Sequence, residues 1–342
     1  MTDLNSRRSS ISRYTIHTGP YAHQNGLVSI NECCIAMKHI AVVVGSAGQD
    51  GTLLSQLLEH LGYEVLGLKR GDMDIFDSDA VVSFVSRHKP SEIYFLAAHH
   101  HSSEDITDNE GELFRLSMRI HFDAAVNFLN AIATRSPASR FFYAASSHVF
   151  GLTQGGKQSE ATPLQPDSVY GITKVSGMMA CRYYREKKGV FASVGILYNH
   201  ESPLRDHRFV SRKIASTAAR IAREGHGSIV LGNLDAQVDW GYAPDYVKAM
   251  SQILQAERPR EYVIATGEAH TVREFAEIAF RSVGVDYRQH VSTKLELLTR
   301  QNLPRIGDAS QLRTDTGWSP SISFEEMVRR LVYAEQRALD EK

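Results

Sequence analysis

Cysteine is scarce: Cys33, Cys34 and Cys181 are the three in 342 residues. Three thiols exclude a disulfide framework and read as reduced cysteines of a cytoplasmic protein. A bridge between the adjacent Cys33 and Cys34 would be strained. Neither charge sign dominates, with 38 basic residues against 39 acidic ones and a formal net charge of -1. No global field therefore directs the chain to nucleic acid or to a membrane. No apolar run reaches the ~18 residues of a spanning helix. Repeats, low-complexity tracts and basic-aromatic surfaces are missing as well. What remains, 42% hydrophobic and 23% charged, is globular composition for one or two domains.

Residues 1–36 are rich in Ser, Arg, His and Asn and show no hydrophobic period. They lack the apolar centre of a secretory signal. Arg7, Arg8 and Arg13 among serines resemble a transit peptide, which Asp3 and the missing amphipathic pattern oppose. Met37 stands just before the first strand and reads as a natural domain start. The expected organisation is an extension over 1–36, a dinucleotide-binding domain mainly over 37–195, and a smaller mixed α/β lobe mainly over 196–342 that interleaves with it.

Residues 39–44 are a short β-branched run, read as a buried parallel strand. Gly45-Ser46-Ala47-Gly48-Gln49-Asp50-Gly51 follows, with glycines three apart. Gly45 permits a tight turn and Gly48 lets backbone approach a pyrophosphate. Gly51 lets the helix expected over 52–61 pack on the sheet with its N-terminus toward the phosphates. Leu53, Leu54, Leu57, Leu58 and Leu61 supply its buried face. The second strand, 64–68, ends at Lys69-Arg70. An acidic residue there would hold the ribose hydroxyls of NAD; basic residues suit a 2′-phosphate, so NADP is expected. The alternative is a pair of solvated loop charges. Asp74 and Ile75 would flank the adenine, and Asp77 would cap a helix running through Arg87.

A third strand, 92–97, ends in Ala98-His99-His100-His101. Adjacent histidines do not converge readily on one ion and no acidic ligand motif accompanies them, so they read as cleft lining and no metal is expected. A helix over 113–134 carries Leu116, Ile120, Ala124, Val126 and Leu129 near helical spacing, and a strand over 140–145 follows. This alternation predicts an α/β fold, a doubly wound parallel sheet of the Rossmann type. Ligands bind beyond the carboxyl ends of such strands, where Gly45, His99 and Ser146 converge.

The strand 140–145 breaks at Ser146-Ser147-His148, and Tyr170-Gly171-Ile172-Thr173-Lys174 opens a helix. A Tyr and a Lys four apart share one helix face. The Lys charge favours the phenolate. A phenolate beside a nicotinamide takes a proton from a sugar hydroxyl as the hydride leaves, while a Ser at the strand end holds the same hydroxyl. Alone, this spacing also fits an ordinary surface helix. The upstream glycine loop gives it meaning.

Farther on, short strands are expected over 228–231 and 262–265, and helices over 209–224, 245–256, 272–283 and 324–338. Thr271 and Glu274 form a capping box at the third of these helices. This half also carries narrower motifs. They are Gly195-Ile196-Leu197-Tyr198-Asn199-His200-Glu201-Ser202-Pro203, then Phe209-Val210-Ser211-Arg212-Lys213-Ile214. Leu231-Gly232-Asn233-Leu234-Asp235-Ala236, Asp239-Trp240-Gly241, Asp245-Tyr246-Val247 and Val263-Ile264-Ala265-Thr266-Gly267-Glu268 complete them. With these, the glycine loop, Ile93-to-Ala98 and Tyr170-to-Lys174, the chain resembles an extended short-chain dehydrogenase/reductase. Within that epimerase/dehydratase superfamily it is similar to the GDP-mannose 4,6-dehydratase family, over residues 38–335.

The resemblance implies a lyase. NADP takes hydride from C4 of a nucleotide-linked hexose, water leaves across C5–C6, and the hydride returns to C6. It implies Tyr170 as base for oxidation, Lys174 tuning it, Ser146 holding the C4 oxygen, and His148 at the position of the family's C5 base. It implies cofactor contacts at Gly45, Ala47, Gly48, Gln49, Asp50, Arg70, Asp74, Ile75, Leu96, Ala97, Ala98 and His99, then at Tyr170, Lys174, Leu197, Asn199, His200 and Arg205. Substrate contacts are implied at Ser146, Ser147, His148, Asn199, Glu201, Val210, Lys213 and Asn233. Arg205 and Arg212 would reach a neighbouring subunit's cofactor or the phosphates, in a homodimer or homotetramer. The implied partner is a GDP-sugar.

The chain also departs from the family. The family's Thr-Ser-Glu reads Ser146-Ser147-His148 here. A neutral imidazole, with an unperturbed pKa of about 6.5, serves as a base, or His148 merely packs. The Arg before the family's Asp-Trp is Val238, and the later Arg-Pro-x-Glu has no match in 298–305, where Arg300 or Arg305 would stand in. Losing bidentate arginines weakens or re-poses a pyrophosphate. The loop after Arg70 is short, so one outer strand-helix unit is expected to be missing. The alternative function is a nucleotide-sugar 4-oxidoreductase or 4-epimerase that keeps the water. A third, a non-catalytic nucleotide-binding regulator, is opposed by intact Ser146, Tyr170 and Lys174.

Overall fold

The computed structural model describes residues 39–99, 109–152, 155–294 and 304–341. The extension expected over 1–36, His100, His101 and Arg300 lie outside the described residues. Strand β1 (Ile40–Val44) is Ile-Ala-Val-Val-Val with its last four residues buried, as a strand covered on both faces requires. Helix α1 (Gln49–His60) leads to β2 (Glu64–Leu68) and α2 (Ser78–His88). The Asp77 carboxylate caps α2 by accepting the N–H groups of Asp79 and Ala80 at 2.9 and 3.2 Å. Next come β3 (Glu92–Phe95), α3 (Glu110–Met118), a π-helical turn (Arg119–Asp123), α4 (Ala124–Arg135), β4 (Arg140–Ser146), α5 (Val169–Lys188) and β5 (Phe191–Leu197).

The single helix expected over 113–134 is thus two α-helices joined by a wider turn. A π turn adds a residue and shifts the apolar face. Leu116 and Ile120 line a cleft. Phe128 and Leu129, beyond the turn, are fully buried in the core. Helix α1 also begins three residues before the expected 52, so Gln49, Asp50 and Gly51 form its first turn.

The second half runs β6 (Asn199–Glu201), α6 (Val210–Glu224), β7 (Ile229–Leu231), β8 (Gln237–Val238), β9 (Trp240–Tyr242), α7 (Ala243–Gln255) and β10 (Glu261–Ile264). It ends with β11 (His270–Thr271), α8 (Val272–Arg281), β12 (Val291–Thr293), α9 (Ser310–Thr316) and α10 (Phe324–Asp340). The capping box at α8 forms: Thr271 Oγ1 accepts the Glu274 N–H at 3.0 Å, and the Glu274 carboxylate accepts the Thr271 N–H at 2.7 Å. Strands β6, β8, β9, β11 and β12 and helix α9 were not expected; they carry too few residues for a readable period.

Six strands form one parallel sheet in the order β10-β5-β4-β3-β1-β2. The chain winds one way from β1 to β2 and the other way through β3 to β5, so a crevice opens at the carboxyl ends of β1 and β3. A large core fills both faces of this sheet. A second core gathers α6, α8 and α10 around Trp240, whose ring lies 5.3 Å from Phe275 and 5.8 Å from Phe324. The described residues form one compact unit.

Candidate active site

The crevice is a cavity of about 830 Å³. Its walls are the ends of β1, β2 and β3 with the Leu116–Ile120 face of the helical segment. Gly45 turns with φ 93°, and a Cβ on it would lie 2.9 Å from the Ala97 nitrogen. A Cβ on Gly51 would lie 2.3 Å from the Gly45 oxygen. The loop therefore folds back on α1 as only glycine allows, and Gly48, at the N-cap of α1, lines the cavity. That cradle, with apolar walls and a basic rim, fits a dinucleotide. Gly45, Gly48, Arg70, Asp74, Ile75, Leu96, Ala97, Ala98 and His99 all line it. Lys69 is at the same rim, and its N–H donates to the Asp72 carboxylate at 3.0 Å.

The helix start that carries Gln49 and Asp50 is latched to a segment about 150 residues away. His200 Nε2 lies 2.9 Å from the Asp50 carboxylate. The Gln49 amide donates to the His200 carbonyl at 3.2 Å and accepts the Ser202 hydroxyl at 2.8 Å. The His200 ring stacks on Tyr246 at 4.5 Å. Burial opposes ionisation of both partners. Their mutual attraction overcomes it, so Asp50 is held below the usual carboxylate range and His200 above the usual imidazole range.

The redox corner lies where β4 meets α5. Ser146 ends β4, and its Oγ accepts the His148 N–H at 3.4 Å. Ser147 is buried. Ser168 caps α5 by accepting the Gly171 N–H at 3.2 Å, which sets Tyr170 in the first helical turn. His148 and His121 meet the Tyr170 ring edge-on, at 5.7 and 5.3 Å. Lys174 is buried and donates to the Ala144 carbonyl at 2.8 Å. Burial lowers its amine to about 7. Burial also pushes the Tyr170 phenol up; Arg205 pulls it down and Asp50 pushes it further up. The Lys174 amine lies 5.6 Å from the centre of the Tyr170 ring, on the shared helix face.

Glu201 is buried, accepts the Ser211 hydroxyl at 2.7 Å and pairs with Arg205 at 3.3 Å. The Arg205 guanidinium also covers the Phe209 ring at 3.6 Å. Asn199 is exposed on β6, one residue before the latch. Leu197 ends β5 beside Ser146, its register partner. Ala47 is exposed in the glycine loop. Val210 packs on the second core, Lys213 lies one turn along α6, and Asn233 accepts the Asp235 N–H at 2.9 Å in its own turn. Ser146, His148, Tyr170 and Lys174 thus come together; Val210 and Lys213 lie on α6 and Asn233 just after β7, by the second core. Arg212, expected to reach phosphates or a neighbour, pairs instead with Glu335 of α10 and donates to the Pro203 carbonyl. Val238 faces no arginine across its pairing; its register partner is His270. Arg305 lowers the Tyr198 phenol from nearby, against a rise dominated by burial.

Sequence reasoning missed His121. Its only signal was one imidazole inside an otherwise apolar helical repeat. It also missed how Asp239 works. Its buried carboxylate accepts from the N–H groups of Thr266, Gly267 and Gly307 and from the Thr266 hydroxyl, joining three segments.

The sequence profile of the GDP-mannose 4,6 dehydratase family matches residues 71–331. GDP-mannose 4,6 dehydratase 1 of Arabidopsis thaliana is 34% identical over 329 residues, covering 86% of this chain and 89% of that one. The Homo sapiens GDP-mannose 4,6 dehydratase is 32% identical, covering 87% of this chain and 91% of its own. Among solved structures, RMD from Pseudomonas aeruginosa complexed with NADPH superposes with a TM-score of 0.77 at 19% identity, covering 88% of this chain and all of that one. The last likeness is one of fold. The match of profile and sequence across most of the chain, laid over a glycine cradle and a Ser-His-Tyr-Lys corner, shows that the chain belongs to the GDP-mannose 4,6-dehydratase family.

Proposed function

We propose that this chain is an NADP-dependent nucleotide-sugar 4,6-dehydratase acting on a GDP-linked hexose. The observation that carries the reading is the corner itself, in which Ser146, His148, Tyr170 and Lys174 gather at a strand end beside a dinucleotide cleft. When bound, the nicotinamide supplies hydride acceptance at C4 and hydride return at C6. Gly45, Gly48 and the start of α1 would hold its pyrophosphate, with Arg70 at the ribose phosphate and His99 on the cleft wall. Tyr170 removes the C4 hydroxyl proton while Ser146 holds the oxygen. Burial keeps the phenol protonated until positive charge from Arg205 and protonated Lys174 favours its base form. His148, edge-on to Tyr170, takes the C5 proton and passes it to the C6 hydroxyl, which leaves as water.

A second reading follows from the same place. With His148 where the family has Glu, oxidation at C4 still proceeds but elimination rests on a weaker design. The chain would then be a 4-oxidoreductase or 4-epimerase. Incubation with a panel of GDP-, UDP- and dTDP-hexoses, followed by mass spectrometry, separates the readings. Loss of one water is expected. An isobaric product, or one lighter by two hydrogens, replaces the dehydratase reading with the second.

The sheet half, 37–195, is proposed to bind mainly the dinucleotide, and 196–342 mainly the sugar nucleotide. The proposed assembly is a homodimer or homotetramer in the cytoplasm. Ile172, Met179 and Tyr183 form an exposed apolar stripe on α5, with Phe114 exposed on α3. Light scattering checks this; a monomer at micromolar concentration rejects it. No helix among the described residues is long and apolar enough to cross a membrane.

A further inference from the structure

Thr173 sits between Tyr170 and Lys174, and its hydroxyl belongs to a buried hydrogen-bond chain centred on His121. His121 lies in the π turn and is fully buried. Its Nε2 accepts the backbone N–H of His99 at 3.1 Å. Its Nδ1 lies 2.8 Å from Thr173 Oγ1. The Thr173 hydroxyl in turn donates to the Val169 carbonyl at 2.9 Å. A backbone amide only donates, and a hydroxyl has one proton to give. Nε2 is therefore bare and Nδ1 carries the hydrogen. The carbonyl of His121 accepts the Tyr143 hydroxyl at 2.9 Å, and the Tyr143 ring lies 5.2 Å from the Lys174 amine.

These contacts join three parts of the site. His99 lines the dinucleotide cleft. Thr173 and Tyr170 belong to the first turns of α5, and Tyr143 to β4. We propose that His121 is a positioning residue: a neutral Nδ1–H imidazole that clamps the cleft wall to α5 and so sets the Tyr170 phenol against the bound dinucleotide. The extra residue of the π turn sets a phase that a regular helix at this point would not have. Imidazole accepts at one edge, donates at the other, and still presents a ring edge to Tyr170 at 5.3 Å. Filling the space alone would need only an apolar ring. The inference rests on the reading of Tyr170 as the base.

Three variants separate clamping from packing. His121→Phe keeps the ring and loses both hydrogen bonds. His121→Gln keeps one acceptor and one donor. Thr173→Val removes only the hydroxyl. In the wild-type protein, ¹⁵N spectra are expected to show the Nδ1–H tautomer at His121, and hydrogen exchange to show a protected His99 amide. His121→Phe and Thr173→Val should reduce the rate of cofactor reduction by nucleotide sugar about 10–100-fold, the scale of a roughly 1 Å misplacement, with KM nearly unchanged. His121→Gln should restore most of that rate. His99 exchange should quicken in His121→Phe alone.

A rate within about twofold of wild type in His121→Phe overturns the proposal, because a factor of two is under 0.5 kcal/mol of barrier. So does a Gln variant as slow as the Phe variant, or an Nε2–H tautomer in the wild type. Where His121→Phe fails to fold, Thr173→Val decides: an unchanged rate rejects the clamp. Should wild type reduce no cofactor with any nucleotide sugar, the proposed function fails. The tautomer and the His99 exchange then still test the clamp by themselves.

Discussion

Two titratable pairs, Tyr170 with Lys174 and Asp50 with His200, respond differently to burial. At the redox corner, Lys174 falls to about 7 and the Tyr170 phenol rises, both mainly through burial. At the latch, Asp50 is lowered and His200 raised, against burial, because each faces the other's charge at 2.9 Å. Depth alone does not set a protonation state; a facing charge does. The corner is lined by rings and a carbonyl, so burial disfavours the charged form of both its groups. At the latch the facing charges favour the ionised form of each partner.

The sharpest way to break the corner is Tyr170→Phe. It removes only the titrating oxygen, so redox turnover should fall by more than the roughly 10²–10⁴-fold typical of losing a general base, with the fold and cofactor affinity retained. Lys174→Ala should in addition weaken cofactor binding. Cofactor reduction in Tyr170→Phe within about tenfold of wild type would place the proton acceptor elsewhere.

His148 tests the second half of the reaction. His148→Ala should still reduce the bound cofactor, because C4 oxidation needs only Tyr170, and the 340 nm absorbance should then persist. Elimination should slow about 10²–10⁴-fold, and His148→Glu should preserve or raise it. If His148→Ala leaves product formation as it was, the C5 base is another group.

A smaller effect is expected at the rim. Arg70→Ala should cost about 1.5–3 kcal/mol of NADP affinity, a charge-assisted contact, and leave NAD affinity alone. Equal titrations of NADP and NAD in the wild type would reject the 2′-phosphate role.

The latch should show itself in stability. His200, raised when folded, contributes fully below about pH 6.5 and loses its contribution as pH rises through its raised value. Asp50, lowered when folded, contributes above about pH 4 and loses it as pH falls through its lowered value. Urea denaturation should therefore show about 1–2 kcal/mol less stability at about pH 9 than at about pH 6, a difference absent in His200→Gln. Parallel pH profiles for the two proteins would mean the pair contributes nothing.

Much of this was legible in the chain. The β-branched run before Gly45, the Asp77 cap and the Thr271–Glu274 box are local signals, and each lies where local chemistry placed it. So did the joining of Ser146 with Tyr170 and Lys174, because strand ends in a parallel sheet share one edge. Pairings across long separations were hidden. Nothing near Arg212 announces Glu335, and nothing near Asp50 announces His200. The π turn was hidden too, since one added residue leaves the apolar period of 113–134 nearly intact while turning Leu116 and Ile120 to the cleft. Spacing placed Lys174 on the Tyr170 face but said nothing of Arg205, held nearby by Glu201.

Strand β10 closes one edge of the sheet by pairing with β5, yet its residues arrive more than sixty positions later in the chain. Until they emerge during synthesis, β5 shows a row of unpaired N–H and C=O groups along an apolar strand, an open invitation to intermolecular pairing. The segment through β5 is therefore no independent folding module. A fragment cut after residue 200 should aggregate, and a chaperone that shields nascent β edges should raise the yield of the whole protein.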